Sequence, residues 1–82
     1  MMKIRILVSL KPSVLDPQGQ AVKNVLHTLG YKSVKDVRQG KFFEIELESL
    51  ERQEAEKLVP EMANKVLANP IIEKFTWEII EG

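Results

Sequence analysis

Hydrophobic and polar residues alternate along three stretches of the chain, a pattern typical of strands that bury one face. The stretches cover residues 3–10, 42–48 and 71–80. Their apolar faces consist of Ile4, Ile6, Val8 and Leu10 in the first, Phe43, Ile45 and Leu47 in the second, and Ile71, Phe75, Trp77 and Ile79 in the third. We therefore predict three half-buried strands.

A shorter strand is predicted at residues 34–38. Val34 and Val37 have opposite parity, so we expect this strand to be bulged, irregular and at a sheet edge. The tripeptide Gln39-Gly40-Lys41 that follows predicts a tight hairpin turn, in which Gly40 supplies a positive φ.

Two other stretches carry apolar residues at helical spacing. The first covers residues 17–29. Asp16 can cap it, because its carboxylate can accept N–H groups of the first turn, and Pro17 suits the first helical position. Gly30 is placed to end this helix in a left-handed conformation. Gly19, inside the first turn, is a poor helix former, and close approach of another backbone or of a ligand would explain it.

The second helical stripe runs from Ala55 to Ala68, with Ser49 as a candidate N-cap. A proline within a helix removes one hydrogen bond and clashes with the preceding turn. The apolar register nevertheless continues across Pro60, so we predict one kinked helix rather than two. Asn69-Pro70 should end it.

The predicted order is strand, helix, strand, strand, helix, strand, which is the pattern of an α+β, ferredoxin-like βαββαβ fold. We expect one domain over residues 1–82, with a four-stranded antiparallel sheet and two helices on one face. The first strand should be central, between the third and the fourth. Lys3 and Arg5 on the open face would then pair with glutamates of the neighbouring strands, namely Glu44, Glu46 and Glu78. The open face also carries Leu7, Phe42, Ile72 and Ile80, so we expect self-association through this face or through an edge strand.

The composition of the chain narrows the classes of function that it could have. The chain has no cysteine and a net charge of zero, which argues against nucleic acid as the main partner. No stretch could span a membrane, the start lacks the apolar run of a signal peptide, and a cytoplasmic location is expected. Residues 1–41 carry eight basic and two acidic side chains, and residues 42–82 carry four basic and ten acidic ones. The two parts, at +6 and −6, should attract each other.

Motifs of catalysis are missing from the sequence. It contains no Gly-rich phosphate loop, no His/Cys/Asp metal cluster and no Ser/His/Asp set. An acylphosphatase-like hydrolase would bind phosphate through backbone N–H groups after the first strand, where Pro12 removes a donor. A regulatory module that binds a metabolite at a dimer interface is the alternative that remains open.

Several segments resemble the PurS family, the small subunit of phosphoribosylformylglycinamidine (FGAM) synthase. They are Leu10-Lys11, Val14-Leu15-Asp16-Pro17-Gln18-Gly19, Val37-Arg38-Gln39-Gly40-Lys41, Leu67-Ala68-Asn69-Pro70-Ile71-Ile72-Glu73 and the closing strand through Phe75. Their spacing and the chain length also agree, so the resemblance covers essentially the whole chain.

The resemblance implies a non-catalytic assembly subunit of de novo purine biosynthesis. It would join a large synthetase subunit and a glutaminase subunit, self-associate, and support ammonia transfer. ATP, Mg²⁺ and glutamine would be used by the partner subunits, leaving no cofactor, metal or catalytic residue in this chain. The candidates for partner contact are Lys11, Asp16, Gln18, Gly19, Arg38, Lys41, Asn69 and Glu73. Asp16 and Asn69 could equally serve as helix caps.

Overall fold

The alternating stretches form one antiparallel sheet in the computed structural model, which describes residues 1–48 and 51–81. The elements in chain order are β1 (Met2–Leu10), α1 (Pro17–Thr28), β2 (Gly40–Leu47), α2 (Arg52–Met62), a π-helical turn (Ala63–Leu67) and β3 (Glu73–Glu81). The α+β class is as predicted. Ser49, the predicted cap of the second helix, lies outside the described residues.

Strand β1 is central, as predicted, in the order β2-β1-β3. Ile6 lies opposite Phe43 and Trp77, and Arg5 lies opposite Glu44 and Glu78. Apolar side chains therefore line one face and charged pairs line the other, since successive residues of a strand point to opposite sides. The Nη2 atom of Arg5 is 2.8 Å from Oε2 of Glu44.

The predicted fourth strand is wrong, because the described residues form three strands and residues 34–39 belong to none. Backbone groups of this segment are bonded to carboxylates instead of to a neighbouring strand. The N–H of Val37 donates to Asp36 and that of Gln39 donates to Asp16. Without this strand there is no hairpin at residues 39–41. Gly40 begins β2, and the positive-φ glycine of the described part is Gly30, with φ of 102°.

The core lies between the sheet and α2. It joins the apolar face of β1 to small side chains of the second helical segment, and its buried members are Met2, Ile4, Ile6, Val8, Ala55, Val59, Ala63 and Ala68. Helix α1 contributes none of them. The prediction that both helices cover one face is therefore wrong, and the three strands are covered by α2 and the turn that follows it.

Pro60 lies within α2 without splitting it, as predicted, whereas the kink at Pro60 stays a prediction. The helix widens shortly afterwards. The N–H of Ala68 bonds to the carbonyl of Ala63, 2.8 Å away and five residues earlier, as in a π-turn. This turn keeps Ala63 and Ala68 in the core. None of the helices of the described residues is long and apolar enough to cross a bilayer.

We predict that Ile6→Ala lowers the free energy of unfolding by about 2–5 kcal/mol, because Ile6 is fully buried and its loss leaves a cavity. Urea denaturation at a fixed protein concentration measures the effect. Ile71→Ala is the matched control, since Ile71 is 79% exposed and its replacement should change stability by less than about 0.5 kcal/mol. Similar losses in the two variants would contradict the placement of the core.

Candidate functional site

The predicted site residues meet at one end of the sheet, which we call the corner. Here the end of β1, the N-terminus of α1 and the beginnings of β2 and β3 come together. The corner contains all eight predicted residues: Lys11, Asp16, Gln18, Gly19, Arg38, Lys41, Asn69 and Glu73. Hydrogen bonds and close backbone contacts connect them.

Asp16 is the buried centre of the corner, with 6% of its surface exposed. Its Oδ1 accepts the N–H of Gly19 at 2.9 Å, which caps α1, and its Oδ2 accepts the N–H of Gln39 at 2.7 Å. These two donors, with that of Gln39 the stronger, lower the pKa of the Asp16 carboxyl below its ordinary value, and the charge of Arg38 adds to the effect. One carboxylate thus fastens α1 to the segment before β2.

Gly19 is required by close backbone approach, one of the two reasons that the sequence offered. A Cβ atom at this position would overlap the carbonyl oxygen of Val37, far inside van der Waals contact. Any larger residue would push the segment before β2 away from α1. Gly19 is therefore part of the frame of the corner.

Arg38 closes the loop between β1 and α1. Its Nη2 donates to the carbonyl of Lys11 at 3.0 Å and to that of Val14 at 2.9 Å. The backbone N–H of Lys11 donates to the carbonyl of Ile72 at 2.9 Å. Among the residues that the structure describes, the Lys11 ammonium has no ion pair, so this side chain is available to a partner.

Asn69 and Glu73 form the turn that precedes β3. The carboxylate of Glu73 accepts the N–H of Asn69 at 2.7 Å, and the side-chain oxygen of Asn69 accepts the N–H of Ile71 at 3.1 Å. Glu73 also lies 3.8 Å from the Lys41 ammonium. Both predicted residues thus have a local structural role, and the Lys41 contact ties their turn to β2.

Gln39 is the corner residue that sequence reasoning missed. It was assigned to a hairpin, but its side-chain amide donates to Oε1 of Gln18 at 3.0 Å in addition to its backbone bond to Asp16. A carboxylate can accept more hydrogen bonds than one helix cap uses. This spare capacity at Asp16 is the feature of the sequence that points to a second donor. Nothing local shows that this donor comes from 23 residues away.

The corner encloses an open cavity of about 300 Å³, bordered by Asp16, Gln18, Gln39, Lys41 and Glu73. Its charged and amide side chains are two carboxylates, two amides and an ammonium, and most of them are bonded to other residues of the corner. Residues 1–48 and 51–81 contain no group of three or more metal-binding side chains that could hold an ion. The arrangement suits recognition of a polar surface.

Comparisons with known proteins agree with the resemblance noted in the sequence. The model of the family described as PurS: Phosphoribosylformylglycinamidine (FGAM) synthase matches residues 3–81. The chain is 48% identical over 81 residues to the PurS subunit of Bacillus subtilis FGAM synthase, covering 99% of this chain and 95% of the relative. The solved structure of B. subtilis PurS superimposes with a TM-score of 0.87, covering 99% of this chain and 100% of that one. A chain of the Thermotoga maritima PurLQS structure, 28% identical, gives a TM-score of 0.87 and covers 96% of each chain.

Replacement of Asp16 by Asn tests the double role of its carboxylate. The amide has one acceptor oxygen instead of two, so either Gly19 or Gln39 loses its bond. We expect Asp16→Asn to lower the free energy of unfolding at neutral pH. Because the folded-state pKa of Asp16 is lowered, its contribution is complete above the ordinary aspartate pKa and is lost as the pH falls through the folded value. The variant should therefore lose less stability on acidification below about pH 4 than the wild type.

Urea denaturation at neutral pH and along an acid series measures both effects. Asp36→Asn is the control, because among the described residues the exposed Asp36 accepts the adjacent N–H of Val37 alone, at 2.9 Å, and an amide oxygen can replace it. This control should keep the stability and acid dependence of the wild type. An Asp16→Asn variant that matched it would refute the central role of Asp16.

Proposed function

This chain belongs to the PurS family of FGAM synthase subunits, and we propose that it is the non-catalytic assembly subunit of that enzyme, bridging the synthetase and glutaminase subunits. As a member of the family it is a subunit of FGAM synthase, an enzyme of purine biosynthesis. In the proposed role it supports the transfer of glutamine-derived ammonia, while ATP, Mg²⁺ and glutamine bind to the partner subunits. The proposal places the complex in the cytoplasm.

The likeness to a chain of the PurLQS structure carries this proposal. It extends over 96% of this chain and 96% of that one, so the chain named with a larger assembly shares almost all of its fold with this one. We therefore assign the contact with the partner subunits to a surface of this shared fold.

The corner is the surface that we assign to contact with the partner subunits. Gln18, Arg38 and Lys41 are exposed and Lys11 is partly exposed. These side chains project from a backbone that Asp16 and Gly19 hold in one arrangement. Binding groups on a fixed backbone lose less conformational entropy on association. Because these side chains are polar or cationic, they contribute more to the selection of a partner and to the association rate than to the affinity.

Self-association is also part of the proposed function. A fold of about 80 residues buries only about 60% of the surface of its unfolded chain, and additional contacts between copies would add to a small core.

Reconstitution tests the proposed role. Mixing the chain with the large synthetase and glutaminase subunits should be necessary for glutamine-dependent FGAM formation. Full glutamine-dependent activity of the two larger subunits without this chain would contradict the proposal. Ammonia supplied directly should lessen the requirement, because the step assigned to this chain is assembly and ammonia transfer.

Substitutions at the corner test whether it is the surface that contacts the partner subunits. Lys11→Ala and Gln18→Ala should each weaken the three-subunit complex by about fivefold in Kd, equivalent to about 1 kcal/mol, with the fold retained. Lys57→Ala and Gln20→Ala are matched controls on exposed helical positions and should leave Kd unchanged. Titration with labelled subunits measures the constants. Equal Kd values for the corner variants and their controls would reject the corner as the contact surface.

A further inference from the structure

The open face of the sheet carries a groove at the end beside the corner. Its floor is Ser9 of β1, which lies between Gly40 of β2 and Lys74 of β3. A Cβ atom at Gly40 would lie 2.5 Å from the carbonyl oxygen of Val8 and 3.3 Å from the Cβ of Ser9, so glycine is required at this position. The missing side chain leaves the floor open between Ser9 and the next residue of this face on β2, which is Phe42.

Two open hollows make up this groove, and Ser9 borders both of them. One has a volume of about 250 Å³, lies toward β2 and is lined by Gly40 and Phe42. The other has a volume of about 210 Å³, lies toward β3 and is lined by Arg38 and Lys74. Together they have the size of a site for one small molecule. We call the two hollows the face groove.

An exposed aromatic ring forms the β2 end of the face groove. Phe42 is 58% exposed, although the guanidinium carbon of Arg5 lies 5.7 Å from the centre of its ring. Arg5 pairs with Glu44 on the side of Phe42 away from the corner, so the side of the ring toward Gly40 stays open. An aromatic ring with a free side binds planar rings by stacking, and every nucleobase has a face that stacks in this way.

The β3 end of the face groove is cationic. Lys74 is exposed, and among the described residues its ammonium forms no ion pair. Arg38 is held at the wall because its Nη2 donates to the carbonyls of Lys11 and Val14, and a guanidinium has further N–H donors for a ligand. The carboxylate of Asp36 borders the same hollow. Two positive charges beside one negative charge suit a single phosphate group.

We propose that the face groove binds a purine nucleoside monophosphate. The base stacks on Phe42, the ribose lies over Ser9, and the phosphate contacts Lys74 and Arg38. Strands β2 and β3 lie on the two sides of β1, so they are about 10 Å apart. One nucleotide spans this distance, whereas a free base or a phosphate ion reaches one end only. A purine is favoured over a pyrimidine because its larger ring stacks more strongly.

The charges of the open face fix the orientation of the ligand and limit its length. Beyond Phe42, the next row places Arg5 between Glu44 and Glu78, with a net charge of −1. A phosphate in this row would be repelled, so the phosphate belongs at the Lys74 end. A second nucleotide would have to run its phosphate along the two glutamates, and the face groove therefore suits a mononucleotide rather than a nucleic acid strand.

Titration calorimetry of the full chain with adenosine monophosphate tests the face groove. We expect a Kd below about 1 mM at low salt, and weaker binding as the ionic strength rises, because the phosphate contacts are exposed. Adenosine and inorganic phosphate should each bind at least about tenfold more weakly, since each fills one end of the groove. Uridine monophosphate should bind more weakly than adenosine monophosphate and more tightly than inorganic phosphate.

Substitutions at the two ends identify the contacts. Phe42→Leu should weaken the binding of adenosine monophosphate at least about fivefold, because leucine keeps the apolar bulk and loses the ring, whereas Phe42→Tyr should keep the wild-type Kd. Lys74→Ala should weaken binding about tenfold, and Lys74→Arg should restore it. Lys32→Ala, at an exposed position after α1, is the charge control and should leave Kd unchanged. Circular dichroism establishes that the variants are folded.

A wild type that shows no saturable binding at millimolar adenosine monophosphate would overturn the inference. So would inorganic phosphate that binds as tightly as the nucleotide, which indicates an adventitious ion only, or a folded Phe42→Leu variant with the wild-type Kd. Equal Kd values for the uridine and adenosine nucleotides would overturn the assignment to a purine. The titration uses this chain alone, so its result is separate from the reconstitution. A chain that binds the nucleotide but does not restore glutamine-dependent FGAM formation would refute the proposed function and leave the nucleotide site standing.

Discussion

The carboxylate of Asp16 determines where the first half of the chain can go. With one oxygen on Gly19 and the other on Gln39, it holds the start of α1 against the segment that leads into β2. The carbonyl of Val37 then lies so near Gly19 that only glycine fits. Helix α1 therefore begins beside the end of the sheet, and its direction is decided by this local junction and not by packing on the core.

Local signals predicted most of the individual elements. The alternation in residues 3–10 and the cap at Asp16 depend on neighbours within a few positions, and both agree with the structure. The strand predicted at residues 34–38 failed because its backbone donors are bonded to Asp36 and Asp16. The strand propensity of two valines cannot reveal that a carboxylate more than 20 residues away competes for a backbone N–H group of this segment. The corner could therefore be located from the sequence, whereas the bonds that build it could not.

The second helical segment packs close to the sheet because most of its buried side chains are small. Ala55, Ala63 and Ala68 bring the helical segment close to the sheet, and the π-turn after Pro60 preserves that face. One helix is about 10–12 Å wide, however, and three strands span about 14 Å. The sheet consequently has partly exposed apolar side chains beside α2, among them Phe43 and Trp77, and the core remains thin.

The corner and helix α1 have different physical properties. At the corner, polar groups bond to one another and project charge from a fixed backbone, as expected of a contact that must form and dissociate selectively. Helix α1 instead carries exposed apolar side chains, among them Val22, Val25 and Leu29. Asp16 and Gly19 connect the two surfaces, because the junction that shapes the corner also directs α1 away from the sheet.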